Sequence, residues 1–167
     1  MRTLSPVLPI SHAHRVLERA ELRERVAGLA ADPLPWRHLV RHDPAQRVFE
    51  CLRLDDQVEI WLICWMPGHD TGFHDHDLSS GAVVVSQGAV VEERLRLGAS
   101  PELRRYVPGD MFDFSPVDIH RVTHAGTTPA TTLHAYSPPL RRRAPTSSSR
   151  VAPWSATRWP RTRSCGR

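Results

Sequence analysis

Gly68-His69-Asp70-Thr71-Gly72-Phe73-His74-Asp75-His76-Asp77-Leu78-Ser79-Ser80-Gly81, continued by Ala82-Val83-Val84-Val85-Ser86-Gln87-Gly88, is the stretch on which the reading of this chain turns. In an extended chain, side chains two residues apart point the same way. His74 and His76 therefore aim two imidazoles into one space, while Asp75 faces away. A third histidine, His120, closes a later run from Pro108-Gly109-Asp110 to Asp118-Ile119-His120. Two imidazoles from one segment and one from another can hold a divalent metal by three positions on one side, leaving the other side open. Asp77 has the wrong parity relative to His76 to join them.

The sequence around this stretch alternates in the manner of β structure. From residue 46 to 138, short runs rich in Val, Ile and Leu are punctuated by Gly, Pro and Asp. The pattern predicts strands near 46–54, 57–66, 80–87, 89–97, 102–107, 111–114, 119–124 and 130–137. So many short strands call for a closed barrel or sandwich. In the second of them Val58, Ile60, Leu62 and Cys64 share one face and read as core, with Cys64 a buried thiol. Ahead of the strands, Ser11 to Ala31 reads as an amphipathic helix. Ser11 is its expected N-cap, Val16, Ala20, Val26 and Leu29 form its apolar face, and Asp32-Pro33 stops it. The expected organisation is a helical segment over 1–45 packed on a β domain over 46–140, then a disordered Arg/Pro/Ser-rich tail over 141–167.

Length and charge narrow the function classes. The 167 residues suffice for one domain with a sizeable core. The net charge of +4 suggests a nucleic-acid partner until its distribution is read. Residues 141–167 hold 8 Arg and no acid, so residues 1–140 hold 14 Arg against 18 acids, a net of −4. No nucleic-acid partner is expected for the folded part. No apolar run approaches the roughly 20 residues a membrane span needs. Three widely separated cysteines suit a reducing cytoplasm better than a disulfide framework.

The glycines and histidines fall in a known register. Gly68, five residues, His74-x-His76, four residues, Gly81, six residues and Gly88 resemble the first motif of the cupins, and Gly109 with His120 resembles part of the second. The resemblance implies a mainly β, single-domain cupin: a jelly-roll β-barrel with an N-terminal helix. Many cupins carry a carboxylate ligand where this chain has Gly81. Three neutral imidazoles leave a +2 ion uncompensated, which favours an anionic donor such as a thiolate.

Further residues resemble the type I cysteine dioxygenase family: Cys64-Trp65, Gly68-His69, His74-Asp75-His76-Asp77, Ile119-His120-Arg121-Val122 and Leu133-His134-Ala135-Tyr136-Ser137-Pro138-Pro139. The likeness runs from about Arg47 to Leu140. It implies Fe(II) on His74, His76 and His120, and oxidation of a small thiol by O₂ to a sulfinic acid. Cysteine is the first substrate expected, with 3-mercaptopropionate or another mercapto acid as alternative. A non-catalytic metal- or ligand-binding cupin, or another metal-dependent cupin enzyme, stays open beside it. Relatives place a Ser-x-His-x-Tyr series beside the iron, and Thr132, His134 and Tyr136 stand there in this chain. Tyr136 would act on oxygen or on the substrate proton, His134 would orient Tyr136, and Thr132 would fix the imidazole. Some relatives crosslink a Cys at the Gly81 position to the tyrosine. This chain cannot, which looks like the bacterial branch. Relatives often grip the substrate carboxylate with an Arg two residues beyond an aromatic, but after Phe49 that position is Cys51. Arg53 and Arg47 could each share that strand face and supply the guanidinium. A cytoplasmic monomer acting on small molecules completes the expectation.

Overall fold

The computed structural model describes residues 15–140. Ser11 and residues 141–167 lie outside that range, and with them the expected helix cap and the expected disordered tail. The described residues form one α-helix, α1 (Arg19–Ala31), a short 3-10 helix (Arg37–Leu39) and eight strands: β1 (Val48–Leu54), β2 (Glu59–Trp65), β3 (Ser80–Gln87), β4 (Val90–Arg96), β5 (Ala99–Tyr106), β6 (Met111–Phe114), β7 (His120–His124) and β8 (Ala130–Ser137). All eight expected strands are present, with ends displaced by at most three residues. The largest displacement is at β5, which starts early because only Leu97 and Gly98 separate it from β4.

The strands pair antiparallel into two sheets, ordered β1-β2-β8-β3-β6 and β5-β4-β7, packed face to face as a β-sandwich. Gly88 lets the chain pass from one sheet to the other between β3 and β4. Its φ is +69°, and a Cβ there would stand 2.4 Å from the Pro129 carbonyl oxygen. The five-stranded sheet is buried on both faces, so β2 and β8 are buried at every position. One face carries Ile60, Leu62, Cys64, Val84 and Leu133 against Leu22 and Val26 of α1. The other faces the second sheet with Trp61, Ile63, Trp65, Val83, Phe112, Phe114 and Tyr136. The expected core series Val58, Ile60, Leu62 and Cys64 is therefore the helix-side layer, and Cys64 is a free thiol, 1% exposed.

The helix begins at Arg19 rather than near Ser11. Leu17 is buried, and its N–H donates to Ser137 Oγ at 2.9 Å rather than to a helical carbonyl. The Glu21 carboxylate then accepts the Glu18 N–H at 2.9 Å and closes the first turn. Val16, expected on the apolar face, is exposed, and Leu22 takes that role beside Val26. Arg19 and Arg23 reach Asp113 of β6 at 2.8 and 3.1 Å, fixing the helix across the sheet. No helix of the described residues is long and apolar enough to cross a membrane.

Candidate metal centre

His74 and His76 do not lie on a regular strand. Residues 69–74 run antiparallel beside β7, and His74 and His120 exchange both main-chain hydrogen bonds, at 2.9 and 3.0 Å. That exchange brings the third imidazole to the pair. Directly after His76 the chain reverses: Ser79 N–H donates to the His76 carbonyl at 2.9 Å, Asp77 takes a left-handed φ of 54°, and β3 starts at Ser80. Asp77 is exposed and outside the cluster, as its parity predicts.

The three rings converge. Their centroids are 4.8 to 5.1 Å apart, and one nitrogen from each lies within 4.8 Å of the others. His74 Nδ1–H donates to the Gly72 carbonyl at 2.9 Å, so its Nε2 lone pair is the one left for a ligand. His120 Nδ1–H donates to Glu92 Oε1 at 2.8 Å, with the same consequence. His76 stacks on Phe114 with centroids 4.2 Å apart, and its Nδ1 is the one buried side-chain polar atom without a hydrogen-bond partner among the described residues. Burial pushes His74 down to about 4, the Gly72 carbonyl opposing it. Burial, then the neighbouring His74 and His120, pushes His76 down to about 2. Neutral imidazoles with free lone pairs are what a divalent ion requires, and a ligand bond offsets the cost of an unpartnered buried ring. The residues fit the ion.

Gly81 lies across from Tyr136 in the β3–β8 ladder and beneath the Phe114 ring. A Cβ built at Gly81 would come within 2.1 Å of Phe114 Cζ. A carboxylate ligand or a crosslinking cysteine is thus excluded at this position while Phe114 stays in place.

Thr132, His134 and Tyr136 point from β8 into the space between the sheets and form a hydrogen-bonded chain. Trp65 Nε1–H donates to Thr132 Oγ1 at 2.8 Å, and Thr132 Oγ1 lies 2.7 Å from His134 Nε2. Tyr136 Oη lies 3.2 Å from His134 Nδ1. An indole only donates, so the Thr132 oxygen accepts there, which leaves its second lone pair and its own hydrogen to face His134 Nε2. When the Thr132 hydroxyl donates its hydrogen to Nε2, the imidazole proton is on Nδ1, donating to the Tyr136 oxygen, and the phenol proton is left for the cavity. Burial pushes His134 down to about 3. Burial also pushes the Tyr136 phenol up, with Glu59 adding to the effect and Arg47 opposing it. The relay is neutral.

Both arginines expected from the sequence are on or beside β1, but only one reaches the site. Arg47 lines a narrow cavity with Trp65, His74, His76, Phe114, His120, His134 and Tyr136. Its guanidinium lies over Phe49 and Trp65, 5.2 and 5.3 Å from the centroids, and has no carboxylate within ion-pair distance among the described residues. Arg53 is elsewhere. A bulge between Cys51 and Arg53 resets the alternation, so Cys51 faces Trp61 but Arg53 faces Ile60 on the helix side. Its guanidinium is exposed and paired with Asp55 at 2.6 Å. His124, which has the parity to join His120, instead donates Nε2–H to the Thr128 carbonyl at 2.8 Å in the following loop. His69 braces a loop, accepting the Met66 N–H at 2.9 Å.

Three contributors escaped the sequence reading: Glu92, Trp65 in its role as donor, and Phe114. For Glu92 the signal was present, since it alternates with buried Val90 on β4, but Glu92-Glu93-Arg94 looks like an exposed run.

A family model described as cysteine dioxygenase type I matches residues 4–144. The chain belongs to the type I cysteine dioxygenase family. A zebrafish (Danio rerio) member of the family, cysteine dioxygenase type 1, is 23% identical over 131 residues, 72% of this chain. The match covers 65% of the zebrafish protein, so the chain spans just under two thirds of that relative's length. Among solved structures, a Thermus thermophilus protein matches with a TM-score of 0.55 at 20% identity, over 61% of this chain and 92% of its own. A cupin superfamily protein from Desulfitobacterium hafniense matches with a TM-score of 0.51 at 19% identity, over 62% and 87%. These likenesses show the cupin fold.

Proposed function

We propose that the protein is an Fe(II)-dependent dioxygenase that converts a small thiol carrying a carboxylate, cysteine first, to its sulfinic acid. The reaction balances as RSH + O₂ → RSO₂H, both oxygen atoms ending on sulfur. The observation that carries the reading is the meeting, in one cavity, of a three-imidazole cluster, a neutral Thr132–His134–Tyr136 relay and the Arg47 guanidinium, which has no acidic partner among the described residues. His74, His76 and His120 would hold the iron, which when bound supplies Lewis acidity toward sulfur and an electron source for O₂. Arg47 receives the substrate carboxylate, since its donors match two oxygens and its desolvated setting strengthens the grip. Tyr136 stays protonated and donates its hydrogen bond into the cavity where oxygen atoms join sulfur. His134, neutral and held at both nitrogens, orients that phenol without adding charge. Thr132 and Trp65 fix the imidazole from behind. The reading also takes the enzyme as a cytoplasmic monomer of the bacterial branch, with mercapto acids such as 3-mercaptopropionate as the alternative substrates.

Oxygen consumption tests this, using protein of measured iron content and a panel of cysteine, 3-mercaptopropionate and cysteamine. Uptake is expected with the two carboxylate-bearing thiols and much less with cysteamine. Iron-loaded protein that consumes no oxygen with any of them would refute the proposal.

A further inference from the structure

The three imidazoles differ in what stands behind them. His74 Nδ1–H meets a neutral carbonyl, and His76 Nδ1 meets no partner. His120 alone is backed by an anion. Glu92 reaches it from β4, across the β4–β7 ladder in which Arg94 lies opposite His120. The Glu92 carboxylate is 4% exposed and fully engaged. Oε1 accepts from His120 Nδ1–H at 2.8 Å and from Arg94 at 2.7 Å, and Oε2 accepts the Tyr106 hydroxyl at 3.2 Å. Arg94 also donates to the Asp113 carbonyl at 2.8 Å and lies 3.7 Å from the Asp118 carboxylate. Glu92, Arg94 and Asp118 together carry two negative charges and one positive.

A buried charge cluster of this kind is a poor way to stabilise a fold, because well-packed apolar side chains do as well without the desolvation cost. Its position directly behind one imidazole suggests another role. A carboxylate at Nδ1–H makes the far nitrogen more basic and fixes which nitrogen faces the ion. The same site has no carboxylate among its three clustered ligands, and Phe114 closes position 81 to one.

We propose that Glu92 is a positioning residue for the metal: it holds His120 with Nε2 toward the ion and supplies, through that imidazole, the negative charge the ligand set itself lacks. This rests on the metal reading above. Tyr106 and Arg94 keep the carboxylate in place. Glu92→Gln keeps the shape and removes the charge, so metal affinity falls by about 10- to 100-fold while the fold survives. Tyr106→Phe leaves Oε1 on His120 and keeps affinity within about threefold of wild type. A pure packing role would penalise both variants alike.

The test is anaerobic titration of Fe(II) and Co(II) against a chromophoric chelator, for wild type, Glu92→Gln and Tyr106→Phe. Glu92→Gln binding as tightly as wild type would overturn the inference and leave the dioxygenase reading standing. A wild type that binds neither ion would overturn both. Two readouts do not depend on turnover. The Fe(III)/Fe(II) potential should rise in Glu92→Gln, because the lost anion favoured the more highly charged ion. In zinc-loaded wild type, proton–nitrogen correlation spectra should show His120 protonated at Nδ1. A metal-bound Nδ1 overturns the inference even if Glu92→Gln fails to fold.

Discussion

Adding one methyl group at position 81 should damage the metal centre from a distance. A Cβ on Gly81 would sit 2.1, 2.5 and 2.9 Å from Phe114 Cζ, Cε2 and Cε1. Carbon atoms rest near 3.5–4.0 Å, so the tip of the Phe114 ring must retreat by roughly 1.5 Å. It has little room. The ring is 1% exposed, stacks on His76 with centroids 4.2 Å apart and lies 4.7 Å from His120. Any retreat is therefore passed to two of the three ligands. Overpacking of this kind costs about 1–3 kcal/mol. With a urea m-value of about 2 kcal/mol/M, the midpoint of metal-free Gly81→Ala should fall by about 0.5–1.5 M. Metal affinity should fall with it, because the imidazoles are displaced. Trimming the ring in Gly81→Ala/Phe114→Leu should recover part of both losses. A Gly81→Ala protein with the wild-type midpoint and wild-type affinity would refute the reasoning.

Other outcomes follow from the same geometry. Tyr136→Phe should lower turnover by up to about 100-fold while iron content stays at the wild-type level; equal turnover would remove the phenol from the reaction. Arg47→Gln should raise KM for cysteine and 3-mercaptopropionate at least about tenfold and leave cysteamine unaffected, whereas Arg53→Ala should change none of them by more than about twofold. A pH series on the metal-free protein probes the buried imidazoles. His74, His76 and His134 fold with values near 4, 2 and 3, below the 6.5 of an exposed imidazole, so the unfolded chain binds more protons below pH 6.5. Their contribution is present above pH 6.5 and is lost as the pH falls, by about 1 kcal/mol per imidazole and about 3 in all between pH 6.5 and 5.5. Urea midpoints that stay level over that interval would contradict it.

Much of the site was legible because it obeys local rules. Alternation along an extended chain put His74 beside His76 and aligned Thr132, His134 and Tyr136, and the structure brings each group together. The eight strands were visible through their turn residues. The two-sided burial of β2 and β8 was harder to see, because alternation reports which residues share a face and not whether both faces are covered. Arg53 shows the rule failing: a single bulge after Cys51 moves it to the opposite face from Arg47. Glu92 and Trp65 were missed for a different reason. A charged residue in Glu92-Glu93-Arg94 and an indole among apolar neighbours carry no local mark of their partners, which lie 28 and 67 residues away.

By itself the sequence determined which residue types could serve a metal and which of them share a strand face, since backbone geometry repeats every two residues wherever the chain is extended. Only the tertiary structure decided the pairing of His74 with His120, the carboxylate behind His120, the ring that closes position 81 and the choice between two arginines. Those depend on strand register, a bulge and contacts between segments far apart in the chain, where distance and burial rather than local pattern set the energy.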